Sequence, residues 1–335
     1  MATIHGYAVH AAGAELLPFK YEPGELQPYD VEVRVSHCGV GRADAQLIDN
    51  DGGHSQYPFI PGHEIVGTIS AVGSAVLGYA IGDRVGIGWQ SNSCGRCEWC
   101  RKGEEHLCPQ AQYTCLHRHG GFAEALRVNA RFAVKLPEAL DSETAAPLLC
   151  SGVTVYSPLR ALGINPSSRV GVIGIGGLGH LALQFARAFG AEVTAFSSSA
   201  AKEEEAQELG AHHFINARES KLVNGLASHF DLLISTVNAD QDWAGYANTL
   251  RPHGTLCMVA APPKPLSLPT LPLLTSIRAV GGSNTGSPSR IAEMLDVAAR
   301  HGIKAKVEKF KMSEASQAVK KVRKGQVHYR AVLSL

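Results

Sequence analysis

The sequence predicts an α/β protein of two domains, a mostly antiparallel β-barrel and a doubly wound parallel sheet, and three observations lead there. Near residue 150 the texture changes, from short valine- and isoleucine-rich segments to a strand–helix–strand alternation. That alternation opens with a glycine turn at 174–179, placed after a strand and at a helix start. Four cysteines, Cys94, Cys97, Cys100 and Cys108, are spaced C-x2-C-x2-C-x7-C in the first half.

The segments 31–39 (VEVRVSHCG), 65–73 (IVGTISAVG), 82–89 (GDRVGIGW) and 131–138 (RFAVKLPE) are β-branched, short and bounded by glycine or proline, the pattern of strands. Between them the four cysteines form a lobe at 94–108. Their spacing lets four sulfurs converge at about 2.3 Å on one tetrahedral zinc ion and leaves no position open, so the ion is structural. From Arg169, RVGVIGIGGLGHLALQFARAFGAEVTAFSSS predicts a buried strand, a glycine turn, an amphipathic helix ending at Gly190 and a second strand. The segments 201–216, 230–237 and 254–261 continue the alternation. The proline-dense 261–274 is expected to be a connecting excursion, 277–283 an edge strand, and the tail from Ser289 a helix with strand-like ends that return to the first domain.

Composition narrows the function. A chain of 335 residues with 45% hydrophobic and 18% charged residues has ample core for two domains. A formal charge of +1 argues against nucleic-acid and membrane surfaces. The N-terminus MATIHGYAVHAAGAELLPF lacks a leader pattern, and no apolar stretch reaches the ~20 residues that span a bilayer, so the expected location is cytoplasmic. There Cys38, Cys115, Cys150 and Cys257 are expected to stand apart as reduced thiols.

Gly174, Gly176 and Gly179 form GxGxxG in the strand–turn–helix context of a dinucleotide site. With Gly177 and Leu178 they line a turn whose backbone approaches a pyrophosphate, while the helix N-terminus presents free N–H groups. An NAD site places a carboxylate about 20 residues further on, at the end of the next strand. Here that place holds Ser197, Ser198 and Ser199, followed by Lys202, and no carboxylate occurs before Glu203. Hydroxyls and an ammonium accept a 2′-phosphate without repulsion, which favours NADP(H) over NAD(H). The plainer alternative is that the serines cap the next helix and Lys202 lies in solvent.

PGHEIVG around His63, GDRVGIGW, the cysteine lobe, GGFAE at 120–124, AAPLLCSGVTVYSPL around Cys150, GIGGLGHLALQFA and EMLDVAARHGIK together resemble the zinc-dependent medium-chain alcohol dehydrogenases, specifically the cinnamyl-alcohol-dehydrogenase-like branch. The resemblance runs along essentially the whole chain. It implies a GroES-like catalytic domain of residues 1–150 and 286–335, and a Rossmann NADP(H)-binding domain of residues 151–285. It also implies structural and catalytic zinc, a homodimer, and interconversion of aldehydes and primary alcohols. His63, Glu64 and Cys150 match positions around the catalytic zinc, and Asp44 matches the aspartate that orients the histidine. One position departs from the family: where members carry a ligand cysteine and a proton-relay hydroxyl, this chain has Gly41 and Ala43, the former 22 residues before His63. Cys38 lies three residues away and needs a rearranged backbone to substitute. Arg42 matches a position from which arginine reaches the cofactor pyrophosphate in some relatives, and Trp89 is a candidate wall of the substrate pocket. Two other readings stay open: a zinc-independent reductase of iminium or conjugated double bonds, and a non-catalytic NADPH-binding protein.

Overall fold

The computed structural model describes residues 3–219 and 225–335. Its contacts divide the chain into two compact units, Met1–Val153 with Thr285–Leu335, and Thr154–Asn284.

In the first unit a seven-stranded sheet runs in the order Val307–Lys311, Arg330–Ser334, Asp30–Val40, Glu64–Val72, Arg84–Ile87, Ala133–Lys135, and Ala125–Asn129 also pairs with Asp30–Val40. Pairing is antiparallel except between Val307–Lys311 and Arg330–Ser334. The alternation read in 31–39 works as a strand should: Val31, Val33 and Val35 point inward and are buried with Ile65, Ile69, Leu126 and Val128. Register then brings distant residues together at one end of the sheet. Gly39 pairs with Val332 on one side and Glu64 on the other, and Val40 pairs with Ala331. Two further pairings carry little sequence signal, Ile4–Ala8 with Leu17–Tyr21 and Gln90–Asn92 with Gln112–Tyr113. Leu17–Tyr21 is exposed or half-buried throughout, and Gln112–Tyr113 is two residues long, so neither shows an apolar alternation. The tail returns to this unit through the helix Pro288–His301. Ser287 caps its start by accepting from Arg290 N, Ile291, Met294, Leu295 and Ala298 bury one face, and Gly302 at φ 66° ends it.

The second unit holds a six-stranded, wholly parallel sheet. Its order is His213–Asn216, Glu192–Ser197, Arg169–Ile173, Phe230–Ser235, Leu250–Met258, Ala279–Gly282. Counted along the chain this is the 3-2-1-4-5-6 order of a doubly wound fold, whose ligand crevice opens at the carboxyl ends where the order reverses. The glycine turn sits at that reversal. Gly174 takes φ 88°, a conformation side chains resist. Gly179 starts the helix Gly179–Ala188, and a Cβ added there would lie 1.9 Å from Gly174 O. Gly179→Ala must therefore push helix from strand, and we expect it to lower stability by about 1–3 kcal/mol; an unchanged urea midpoint would refute this tight packing.

Among the described residues no helix is long and apolar enough to cross a membrane.

Candidate metal centres and cofactor cavity

Among the described residues, three groups of cysteine, histidine and acidic side chains come within metal-binding reach. In the lobe, the sulfurs of Cys94, Cys97, Cys100 and Cys108 all lie within 4.8 Å of one another, and Cys94 Sγ is 3.9 Å from Cys100 Sγ. Zinc–sulfur bonds of about 2.3 Å in a tetrahedron require sulfurs about 3.8 Å apart, so the arrangement fits the ion. Backbone amides point at the sulfurs as they do around thiolates: Cys97 N donates to Cys94 Sγ at 3.3 Å and Gln110 N to Cys108 Sγ at 3.3 Å. The N–H groups of Arg96 and Cys97 bring the Cys94 thiol down to about 6. Gln90 Nε2 donates to Glu105 O at 2.6 Å and Arg131 pairs with Glu105, which tie the lobe to the sheet.

The second and third groups share His63. Its Nδ1 lies 2.9 Å from Asp44 Oδ1, and because a carboxylate only accepts, the ring nitrogen donates. Asp44, fully buried in the first turn of the helix Arg42–Asp49, also accepts from Gly62 N at 2.9 Å and Gly41 N at 2.8 Å. Burial disfavours a charged imidazole, but Asp44, Cys150 and Cys115 outweigh it and hold the ring's pKa well above the usual histidine range. The other ring nitrogen is left for a ligand. Ligand atoms of His63, Glu64 and Cys150 lie within 4.8 Å of one another, an imidazole–carboxylate–thiol set of the kind zinc takes. Glu64 is already engaged: Oε2 accepts from Arg330 Nη2 at 2.5 Å and Oε1 from Ser151 Oγ at 3.2 Å. Gly39 makes room for this, since a Cβ there would fall 2.0 Å from Glu64 Oε2. The Trp89 ring stands edge-on to His63 with centroids 4.9 Å apart.

One expectation about thiols changes. Cys115 does not stand apart: it is 1% exposed and lies within 4.8 Å of ligand atoms of His63 and Asp44. Cys38 lies in the apolar core, its sulfur against Gly62 and Gly121, and burial pushes its thiol far up. Arg42 is exposed and Ala43 half-buried. Sequence reasoning missed Cys115, Arg330 and Ser151, which no local spacing links to His63.

In the second unit a cavity of about 360 Å³ opens at the carboxyl ends of the strands, lined by Gly174, Gly176, Ser197, Ser198, Ser199 and Lys202 together with Thr236 and Asn238. No carboxylate lines it among the described residues. Gly177 and Leu178 stand half-buried before the helix that Gly179 begins. Lys202 does not lie in solvent: it is half-buried, its Nζ donates to Ile175 O at 2.6 Å, and burial holds its pKa below the usual lysine range. Nor do the serines act as a side-chain cap: Ser199 precedes the short turn 200–202 without a capping bond, and Ser197 Oγ accepts from Ser199 N at 3.2 Å.

Two family models match the chain, one described as alcohol dehydrogenase GroES-like domain over residues 27–138 and one as zinc-binding dehydrogenase over 177–300. An aldehyde reductase from Synechocystis sp. is 45% identical over 99% of this chain and 98% of its own length. A solved cinnamyl alcohol dehydrogenase from Sorghum bicolor superposes with a TM-score of 0.95 at 37% identity, covering 99% of this chain and 98% of that one. A second, from Helicobacter pylori and complexed with NADP(H), gives 0.90 at 29% identity, covering 99% and 98%. Fold, glycine turn and cysteine lobe define a zinc-binding dehydrogenase with a Rossmann sheet. The chain belongs to the zinc-dependent medium-chain alcohol dehydrogenase family, in its cinnamyl-alcohol-dehydrogenase-like branch.

Proposed function

We propose that this chain is an NADP(H)-dependent oxidoreductase that interconverts aldehydes and primary alcohols, with residues 1–150 and 286–335 as the catalytic domain and 151–285 as the cofactor domain. The observation that carries the cofactor choice is the cavity with Ser197, Ser198, Ser199 and Lys202 on its wall and, among the described residues, no carboxylate. The activity is supported by the 45% identity to an aldehyde reductase along nearly the whole chain.

Bound NADPH supplies hydride, and zinc supplies Lewis acidity toward a carbonyl oxygen. The chain's own residues hold and orient these groups. The turn 174–179 presents backbone N–H groups to a pyrophosphate, and the serine hydroxyls with Lys202 take the 2′-phosphate. Cys94, Cys97, Cys100 and Cys108 would hold the structural ion, and His63 and Cys150, with Glu64 beside them, the catalytic one. Asp44 positions the imidazole. Arg42 would add charge for the pyrophosphate, and Trp89, edge-on to His63, would wall the substrate site. Ala43 offers no transferable proton, so the proton that completes the alcohol comes from water.

The homodimer and the cytoplasmic location belong to the same proposal. Leu271, Leu274 and Ile277, exposed at 68%, 73% and 66% beside the edge strand Ala279–Gly282, support the dimer. Light scattering at micromolar concentration tests it, and a monomer would refute it.

The test of function is NADPH oxidation against a panel of aliphatic and aromatic aldehydes. Steady turnover is expected; binding of NADPH with silence toward every aldehyde would overturn the reading. Gly41 and Ala43, standing where family members carry a thiol and a hydroxyl, favour one second reading, reduction of iminium or conjugated double bonds, so enals and cyclic imines belong in the panel. For the cofactor, Lys202→Ala is expected to lose a charge-assisted bond of about 2 kcal/mol, roughly 30-fold in NADPH affinity, with NADH affinity unmoved. An equal effect on both dinucleotides would show that Lys202 serves the turn and not the phosphate.

A further inference from the structure

We propose that Thr236 is a positioning residue of the cofactor site: its hydroxyl holds the carbonyl of Gly174 and thereby keeps the glycine turn set for a pyrophosphate. The proposal rests on the reading of the cavity beside that turn as a dinucleotide site, and it names a residue that acts there through the turn, without charge of its own.

The turn meets two demands at once. It must leave N–H groups unpaired for an anion, and it must pack a helix hard against a strand. The first is met: among the described residues the N–H groups of Ile175, Gly176, Gly177 and Leu178 have no acceptor, while on either side Gly174 N donates to Phe196 O at 2.8 Å and His180 N to Gly176 O at 3.0 Å. The second demand strands a carbonyl. Gly174 leaves the strand at φ 88°, and its oxygen meets the helix start, where a Cβ on Gly179 would lie 1.9 Å away. Among the described residues no backbone N–H donates to that oxygen. A carbonyl closed in without a donor is costly, and the backbone relieves it by rotating. Rotation would carry the anion site with it, because the peptide between Gly174 and Ile175 is one rigid plane: the C=O of the first residue fixes the direction of the N–H of the second.

Thr236 supplies the missing donor. Its Oγ1 lies 2.8 Å from Gly174 O and 3.1 Å from Ile173 O. Ile173 O already accepts from Thr236 N at 3.0 Å, so the hydroxyl proton is left for Gly174. The sheet fixes where this hydroxyl stands. Ser235 pairs with Ile173, and Thr236 N carries the same ladder one residue past the strand end. Val237 closes the arrangement from the side, since its Cγ1 lies 2.3 Å from where a Cβ on Gly174 would stand. Thr236 and Ile175 both line the cavity. The hydroxyl brings no charge to a phosphate, so its contribution to binding is the direction it gives the Ile175 N–H.

The experiment measures dissociation constants of the full-length protein for NADPH, NADH and adenosine 2′-phosphate, by calorimetry or by competition. Thr236→Val keeps the shape and removes the donor. It is expected to weaken NADPH and NADH alike, by roughly 10-fold, because both carry the pyrophosphate. Adenosine 2′-phosphate has none, and its affinity is expected to hold. Thr236→Ser returns a hydroxyl and should restore both dinucleotides. This pattern is the opposite of that expected for Lys202→Ala, which spares NADH. Unchanged dinucleotide affinity in Thr236→Val, an equal loss for adenosine 2′-phosphate, or a loss that serine does not reverse overturns the proposal. Where the valine variant does not fold, Thr236→Cys takes its place: a thiol is a weak donor, so both dinucleotides must again bind more weakly than to wild type, and unchanged affinity overturns the assignment. Failure of the underlying reading looks different. A wild type that binds neither dinucleotide removes the cofactor site itself and the proposal with it; one that binds both equally removes the 2′-phosphate preference and, with both weakened by Thr236→Val, leaves the role of Thr236 standing.

Discussion

Asp44→Ala is expected to abolish aldehyde reduction and to unfold the first unit at markedly lower denaturant. The carboxylate accepts from Gly41 N, Gly62 N and the His63 ring, and all of this lies in a fully buried position. Alanine leaves two buried amides and one ring N–H without acceptors, at about 1–3 kcal/mol each. Stability should therefore fall by roughly 4 kcal/mol, with activity down at least roughly 100-fold because the imidazole loses the partner that sets its tautomer and orientation. Asp44→Asn separates the two effects. The amide fills the same space and keeps part of the bonding, so most stability should return while turnover stays roughly 10–100-fold low. Urea denaturation and steady-state kinetics measure both; an Asp44→Asn enzyme with wild-type turnover would show that the carboxylate serves only the helix start.

The second large effect is expected in the lobe. Cys100→Ser, or a strong chelator on the wild type, should remove one zinc ion and loosen residues 94–108. Structural zinc contributes apparent binding energies of about 10–16 kcal/mol in small metal-folded domains, and this lobe has little else to hold it. Cys100 is buried, but its partners there are the other sulfurs and Ser93 Oγ at 3.4 Å. Loosening should spread along Gln112–Tyr113 toward Thr114 and Cys115, since that short ladder joins the lobe to the strand end beside His63. Hydrogen exchange is expected to rise through 94–115 while the parallel sheet keeps its protection. A Cys100→Ser protein with full zinc content and unchanged exchange would contradict a metal-folded lobe.

Both effects show how far local pattern reaches. The lobe was legible because its four sulfurs lie within fifteen positions and their convergence needs only two short loops. The glycine turn was legible because its three glycines lie within six positions after a strand, and a Cβ added at Gly179 would fall 1.9 Å from Gly174 O. The serines and Lys202 follow one strand later, within the same unit of alternation. Cys115 was misjudged for the opposite reason. It lies 52 positions after His63 in a stretch with no ligand spacing, and only the ladder of Tyr113 with Gln90 carries it back. Cys38 lies three positions from Gly41, and the irregularity in the Asp30–Val40 register between Val35 and His37 shifts the alternation so that its sulfur enters the core.

By itself the sequence determined the two-domain α/β class, the thiolate lobe, the phosphate turn and the loss of donor groups at Gly41 and Ala43, because each is written in neighbouring residues or in a short period. Tertiary structure alone decided that Arg330 holds Glu64 across 266 positions, that Asp44 serves three donors, and that the Cys115 thiol comes within 4.8 Å of ligand atoms of His63 and Asp44. Those facts depend on the register of Asp30–Val40 against Glu64–Val72 and Arg330–Ser334, where a slip of one residue would turn every side chain to the other face.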